Sequence, residues 1–302
     1  MSHAVPVNDQ RPLAGVLWMM VTGLCFVGVQ ATVKYLGPRV PAAEAAFLRY
    51  LLGLVFIVPM IPALRRAHVS RRAWGMFAIR GAFQTIGVLC WFYAMTRITL
   101  AEVTAMNYLN PIYITLGAAV FLGEPLAARR LVAIGVAFAG ALVILRPGMR
   151  ALDSGHIAMV FTALGFAASY LIAKRMAGEL GPQVVVAMLS GMVTIALAPF
   201  AAAVWVTPSW ADLGWLFVVA AFATGGHYAM TLAFQAAPMA VSQPVAFLQL
   251  VWASLLGVVF FAEPVDGWVV IGGGMIMAAV SFIAWREARL RAAQPTPTVT
   301  GG

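Results

Sequence analysis

Long apolar runs, parted by short stretches that carry charge, proline or glycine, recur ten times along the chain. They cover approximately residues 13–33, 42–61, 74–95, 101–122, 131–145, 156–173, 183–206, 213–235, 241–261 and 268–285. About 20 apolar residues are enough for a helix to cross the ~30 Å hydrocarbon core of a bilayer. The fifth run is the shortest. Short connections fit helices that lie antiparallel to their chain neighbours. The expected fold class is an all-α integral membrane protein with ten transmembrane helices.

Composition strengthens this reading. Hydrophobic residues make up 63% of the chain and charged residues 10%, where a soluble domain carries about 25% charged residues. Such a chain cannot cover a surface that faces water. The formal net charge of +9 does not point to nucleic acid, because the basic residues sit in clusters between apolar runs. With the N-terminus placed inside, twelve Lys and Arg fall on cytoplasmic segments and five on the other side, with Arg49 and Arg80 within helices. That asymmetry puts both termini in the cytoplasm. Cys25 and Cys90 each lie in an apolar run and read as buried small hydrophobes. The first apolar run follows Asp9, Gln10 and Arg11 and reads as a retained span, not a cleaved leader.

A repeat runs through the pattern. Glu124-Pro125 closes the fourth run and Glu263-Pro264 the ninth, 139 positions apart. At that offset Phe83 meets Phe222, Gly87 meets Gly226 and Gly135 meets Gly274; at 140, Phe26 meets Phe166 and Lys34 meets Lys174. Five helices per unit is odd, so the second unit enters from the opposite side and the repeats are inverted. The expected division is a cytoplasmic segment 1–12, a first unit 13–146, a second unit 154–285 and a disordered tail 286–302. Inverted halves can exchange packings around a central site, which moves its opening from one membrane face to the other.

The Phe47-Leu48-Arg49-Tyr50 stretch, the Asn110-Pro111 step and the Gly123-Glu124-Pro125-Leu126 and Ala262-Glu263-Pro264-Val265 junctions carry a family resemblance. The chain resembles the EamA-type members of the drug/metabolite transporter superfamily over roughly residues 12–286. The resemblance implies a central cavity lined by the first, third and fourth helices and their second-half counterparts. The ninth run departs from the pattern, with Gln249-Leu250 in place of Asn-Pro.

Polar side chains in hydrocarbon are costly and are expected to face protein or a wet cavity. In the third run Arg80, Gln84, Gly87 and Trp91 share one helical face; Gln84 offers hydrogen bonds and Trp91 a stacking surface, while Arg80 can snorkel. In the eighth, Thr224, Tyr228, Thr231 and Gln235 form a matching stripe beside His227, which can titrate near neutral pH or be satisfied by a neighbouring carbonyl. Asn107, Tyr108 and Asn110 precede Pro111, whose missing N–H frees a carbonyl for water, substrate or a local side chain. Gln30, Tyr170, Gln243 and Gln249 complete the candidate substrate-binding residues. Arg49 demands a partner, either Glu44, helix-end carbonyls or an anionic substrate group, with a structural partner expected first. Glu124 and Glu263 read as interfacial structure, each beside the start of the next helix.

Four scattered histidines, His3, His68, His156 and His227, form no metal motif, and neither a nucleophile with its base nor a carbonyl filter is present. The expected function is therefore a carrier, not an enzyme and without a cofactor, moving amino acids or related small polar or amphipathic metabolites by alternating access, with export favoured. A membrane enzyme or a non-transporting membrane protein stands as the alternative. Expected partners are the solute, the lipid bilayer and, left open, a second copy of the chain, with no nucleic acid. The expected location is the bacterial inner membrane.

Overall fold

The computed structural model describes residues 12–37, 39–67, 69–122, 128–149, 151–176, 180, 182–236, 245 and 248–292. Regular structure among them is helical: α1 (Pro12–Leu36), α2 (Ala42–Gly53), a 3₁₀ turn (Leu54–Met60), α3 (Ile61–Arg66), α4 (Arg71–Met95), α5 (Leu100–Asn107), α6 (Asn110–Leu122) and α7 (Ala128–Leu145). The second half holds α8 (Ser154–Met176), α9 (Pro182–Ala203), α10 (Trp210–Ala236), α11 (Leu248–Phe261) and α12 (Gly267–Ala292). Seven spans are long and apolar enough to cross a membrane: α1, the unit from α2 through α3, α4, α8, α9, α10 and α12. Helices α7 and α11 are apolar but shorter.

Two expected spans are not continuous α-helices. The fourth breaks between α5 and α6 at Tyr108 and Leu109. Pro111 has no N–H for the Asn107 carbonyl four residues back, and the chain tightens there, with Tyr108 N donating to Ala105 O at 3.2 Å and Leu109 N to Met106 O at 3.1 Å. The second span passes through the 3₁₀ segment containing Pro59 and ends at Arg66 rather than near residue 61.

Helix starts carry side-chain caps that satisfy backbone N–H groups with no partner within the helix. Ser70 accepts from Ala73 N, and Thr99 forms a capping box with Glu102. Ser209 and Asp212 do the same for α10, with Ser209 Oγ accepting from Asp212 N at 3.1 Å and Asp212 accepting from Ser209 N at 3.3 Å. Asp153 accepts from Gly155 N at 2.7 Å and Asp266 from Trp268 N at 2.9 Å. At the end of α11, Glu263 N donates back to Gly257 O at 3.0 Å, which places Ala262 at φ 53°. This left-handed position favours glycine.

The two halves pack crosswise. Helix α1 lies chiefly against α10 and α4 against α8; α2 meets α9 and α10, while α9 meets α4; α7 lies on α12. Exchanging first-half helices for their repeat counterparts returns the same set of neighbours. Glycines allow the close crossings: a Cβ on Gly87 would lie 2.6 Å from the Phe166 ring, and one on Gly165 2.7 Å from the Phe83 carbonyl oxygen. The matching crossing sets Gly226 against Cys25 and Phe26, and Gly28 against Phe222. Thus Gly87 and Gly226, and Phe166 and Phe26, paired by the sequence repeat, meet in equivalent contacts.

Ionic contacts gather at the end of the bundle where α1 finishes. There Lys34 pairs with Glu263, Arg39 with Asp212, Arg146 with Asp266 and Glu102 with His156. Glu44 accepts from Val206 N at 2.9 Å in the same region. Each of these five contacts joins an element of the first half to one of the second. Glu263 was expected to serve the helix that follows it; it instead accepts from Leu100 N, at the start of α5, at 3.0 Å. Glu124, the 1–11 segment and the tail from residue 293 lie outside the described residues.

Candidate substrate site

The interior between the halves is built from α1, α2, α4, α5 and α6 on one side and α8, α10 and α11 on the other. Gln30 on α1 is fully buried, and its Oε1 accepts from Thr104 Oγ1 on α5 at 3.0 Å. Its Nε2 has no partner. An unsatisfied buried amide costs roughly 1–3 kcal/mol, so Gln30 presents a donor that a bound solute can use. The Trp91 Nε1 and the Asn107 and Asn110 Oδ1 atoms are likewise buried and unpartnered.

The two asparagines flank the break between α5 and α6, where the Asn107 carbonyl has also lost its helical donor. Broken helices with free polar groups persist in a membrane only where they meet protein or a wet cavity. Between the asparagines, Tyr108 takes a structural part: its phenolic oxygen is hydrogen-bonded to the backbone of Leu250, in the first turn of α11. Gln249 in that turn packs against Gly23 of α1, where a Cβ would come within 3.5 Å of the Gln249 Cβ.

Aromatic rings pair between the lining helices. Trp91 meets Phe166 edge-on with centroids 6.1 Å apart, and Phe26 meets His227 at 5.1 Å. His227 on α10 and Tyr170 on α8 both retain accessible surface, and the space between the halves that these helices border is termed the recess. Arg49 acts electrostatically on His227, and Arg80 on Tyr170 and Tyr50. Phe26, Arg49, Arg80, Tyr170 and His227 stand on α1, α2, α4, α8 and α10 respectively.

Several sequence expectations change here. Glu44 does not pair with Arg49; its carboxylate goes to Val206, and the Arg49 guanidinium lies over the Tyr50 ring at 4.1 Å. Arg80 is 6% exposed, and its Nη1 donates to the Val185 carbonyl, one turn into α9, at 3.4 Å. Gln84 is half-buried and makes no hydrogen bond among the described residues. Tyr228 is 67% exposed and turned away from the cluster, with no ring contact or hydrogen bond there. Gln243 and the side chains of Thr231 and Gln235 lie outside the described residues. Tyr50 and Phe166 were not singled out as site residues. Tyr50 follows a mid-span arginine directly, and Phe166 is the repeat partner of Phe26, so both carried a readable signal.

Known proteins share this architecture. The EamA-like transporter family matches the chain twice, over residues 13–146 and 153–285. The chain is 30% identical to a riboflavin transporter of Rhizobium johnstonii, across 95% of this chain and 96% of that protein. It is 25% identical to an S-adenosylmethionine uptake transporter of Rickettsia felis, covering 91% and 94% of the two chains. It is also 25% identical to a pseudopaline exporter of Pseudomonas aeruginosa, covering 88% and 94%. A solved crystal structure at 20% identity superposes with a TM-score of 0.57, covering 92% of this chain and 96% of that one; this likeness concerns the fold alone.

Proposed function

Because the chain belongs to the EamA-like transporter family, and is therefore a multi-pass membrane transporter and not an enzyme, we propose that it carries planar heteroaromatic metabolites of the flavin kind across the bacterial inner membrane. Ten crossings account for the architecture: the unit from α2 through α3 makes one crossing, α5 with α6 makes another, and every other helix makes its own. The two family matches correspond to the units 13–146 and 154–285, threaded in opposite senses, with both termini cytoplasmic.

The observation that carries the substrate reading is that the lining helices bear both edge-on ring pairs, Trp91 with Phe166 and Phe26 with His227, and the unpartnered amide groups of Gln30, Asn107 and Asn110. Flat rings are held by stacking and edge contacts, and a few fixed polar groups set orientation. A ring system edged with carbonyl and imide groups meets both requirements. Amino-acid export, expected from the sequence, has no counterpart among the relatives described above, and a small aliphatic solute would leave the rings unused.

Alternating access follows from the uneven placement of ion pairs. They bind the two halves together at the end where α1 finishes, which the topology assigns to the outer face. The recess is then served from the cytoplasmic side in this conformation, and rocking of the halves opens the other. The same geometry serves uptake and export, with direction set by the gradient.

Reconstitution into liposomes with radiolabelled riboflavin tests the proposal. Saturable flux above that of protein-free vesicles is expected, reduced at least tenfold in Trp91→Ala and in Asn107→Ala. Flux indifferent to both substitutions, or none at all, refutes it.

A further inference from the structure

Two arginines, Arg49 and Arg80, stand on helices that border the recess, and neither has a carboxylate partner among the described residues. Arg49 is half-buried on α2, rests on the Tyr50 ring at 4.1 Å and makes no hydrogen bond or ion pair among the described residues. Arg80 on α4 is 6% exposed, its Nε is unpartnered, and its sole hydrogen bond is a long one of 3.4 Å to a backbone carbonyl. Tyr50 links the two, sitting under Arg49 and within electrostatic reach of Arg80.

The acids nearest in sequence or fold are engaged elsewhere: Glu44 with Val206, Glu102 with His156 and Glu263 with Lys34. An arginine at mid-membrane costs about 2.5–3.5 kcal/mol on insertion scales when nothing compensates it. Buried charges are ordinarily paired. Here two like charges face one recess, with aromatic rings as their neighbours.

We infer that Arg49 and Arg80 form an oxyanion subsite within the transport recess, so that the carried molecule presents a carboxylate or phosphate group beside its flat ring. The inference rests on the recess being the substrate site, and not on the solute being a flavin. A planar guanidinium fork donates two parallel hydrogen bonds to an oxyanion. Arg49, the more accessible of the two, makes the direct contact. Arg80, fixed against α9, supplies field from behind. His227 beside Arg49 adds a donor to the same oxyanion. A cationic solute is disfavoured by the same charges.

The test uses the full chain purified in maltoside micelles, with two matched pairs of probes. Riboflavin and riboflavin 5′-phosphate differ in one phosphate, and quenching of flavin fluorescence reads their binding. Benzoate and benzamide are near-isosteric and differ in charge, and thermal unfolding reads theirs. The phosphorylated flavin is expected to bind at least about tenfold more tightly than riboflavin, the range of a charge-assisted hydrogen bond. Arg49→Gln should bring that ratio to about one, and Arg49→Lys should keep part of it. Because Arg49→Gln removes one of two like charges, the variant is expected to fold at least as well as the parent.

Equal binding of the two flavins in the parent, or a preference that survives Arg49→Gln, overturns the subsite. If neither flavin binds, the flavin reading fails, and the second pair decides. Stabilisation by benzoate and not by benzamide, lost in Arg49→Gln, upholds the subsite, while an equal response to both sinks it. A headgroup phosphate could meet the same arginines. Binding of phosphatidylglycerol that depends on Arg49, with no response to either soluble anion, would assign the arginines to lipid and overturn the solute reading.

Discussion

Lys34, near the end of α1, forms an ion pair with Glu263, just beyond α11, and so ties the first half of the chain to the second. The ammonium also donates to the Ile98 carbonyl at 2.7 Å, and the carboxylate accepts from Leu100 N at 3.0 Å. One contact thus fastens α1, the start of α5 and the α11–α12 junction at a single point. Lys34→Met leaves the carboxylate without its cation and is expected to destabilise this conformation by about 2 kcal/mol. Thermal unfolding in detergent measures the loss, and a cysteine at Tyr35 should become more reactive to a membrane-impermeant thiol reagent added outside. Unchanged stability and reactivity would show that the pair does not hold the outer end shut.

Ala262 stands in a left-handed conformation next to this pair, at φ 53°. Ala262→Gly removes that strain and is expected to raise stability by about 1 kcal/mol, read as a higher midpoint in the same unfolding assay. A lower midpoint would mean that the Ala262 methyl group contributes more through packing than it costs through conformation.

The crossing of α4 on α8 depends on two glycines with different tolerances. Gly87→Ala meets the Phe166 ring and Gly165→Ala meets backbone atoms of Phe83 and Gly87. Both are expected to cost about 1–3 kcal/mol by overpacking. Phe166→Ala should rescue Gly87→Ala, because a side chain can be cut back, and should leave Gly165→Ala unrescued, because a backbone cannot. Equal rescue of both would contradict the crossing as described.

Pro111 keeps α5 and α6 apart. Pro111→Ala returns an N–H to the Asn107 carbonyl and is expected to add about 1 kcal/mol of stability while lowering transport at least tenfold. Transport equal to the parent would show that the break takes no part in carrying solute.

Opposite threading of the halves requires the Arg71 and Arg150 connections to lie on opposite faces of the membrane. With Cys25 and Cys90 replaced by alanine, single cysteines at these positions should label from the cytoplasmic and outer sides respectively. Labelling from one and the same side would remove the inverted arrangement and with it the alternating-access mechanism.

The repeat was legible because packing constrains residue type where helices cross. Phe83, Gly87 and Phe26 recur as Phe222, Gly226 and Phe166, and the structure sets Gly87 against Phe166 as it sets Gly226 against Phe26. The break at Asn110-Pro111 was legible too, since proline's missing donor is a local property of the chain. The partners of charged residues were not. Glu44, five positions before Arg49, serves Val206, 162 residues away in sequence, and Glu263 serves Lys34 and Leu100. Helical spacing shows which residues share a face but not which helix that face meets.

Hydrophobic run length and charge by themselves determine that this chain lives in lipid as a bundle of helices, because the backbone's own hydrogen bonds and the poverty of polar surface leave no other solvent. Its internal repetition likewise determines that two similar units share one structure. Tertiary packing decided the rest: which acids are consumed at the end where α1 finishes, and hence that Arg49 and Arg80 have no carboxylate partner among the described residues. Electrostatic pairing depends on distance in space, which a sequence of this kind leaves open until the helices cross.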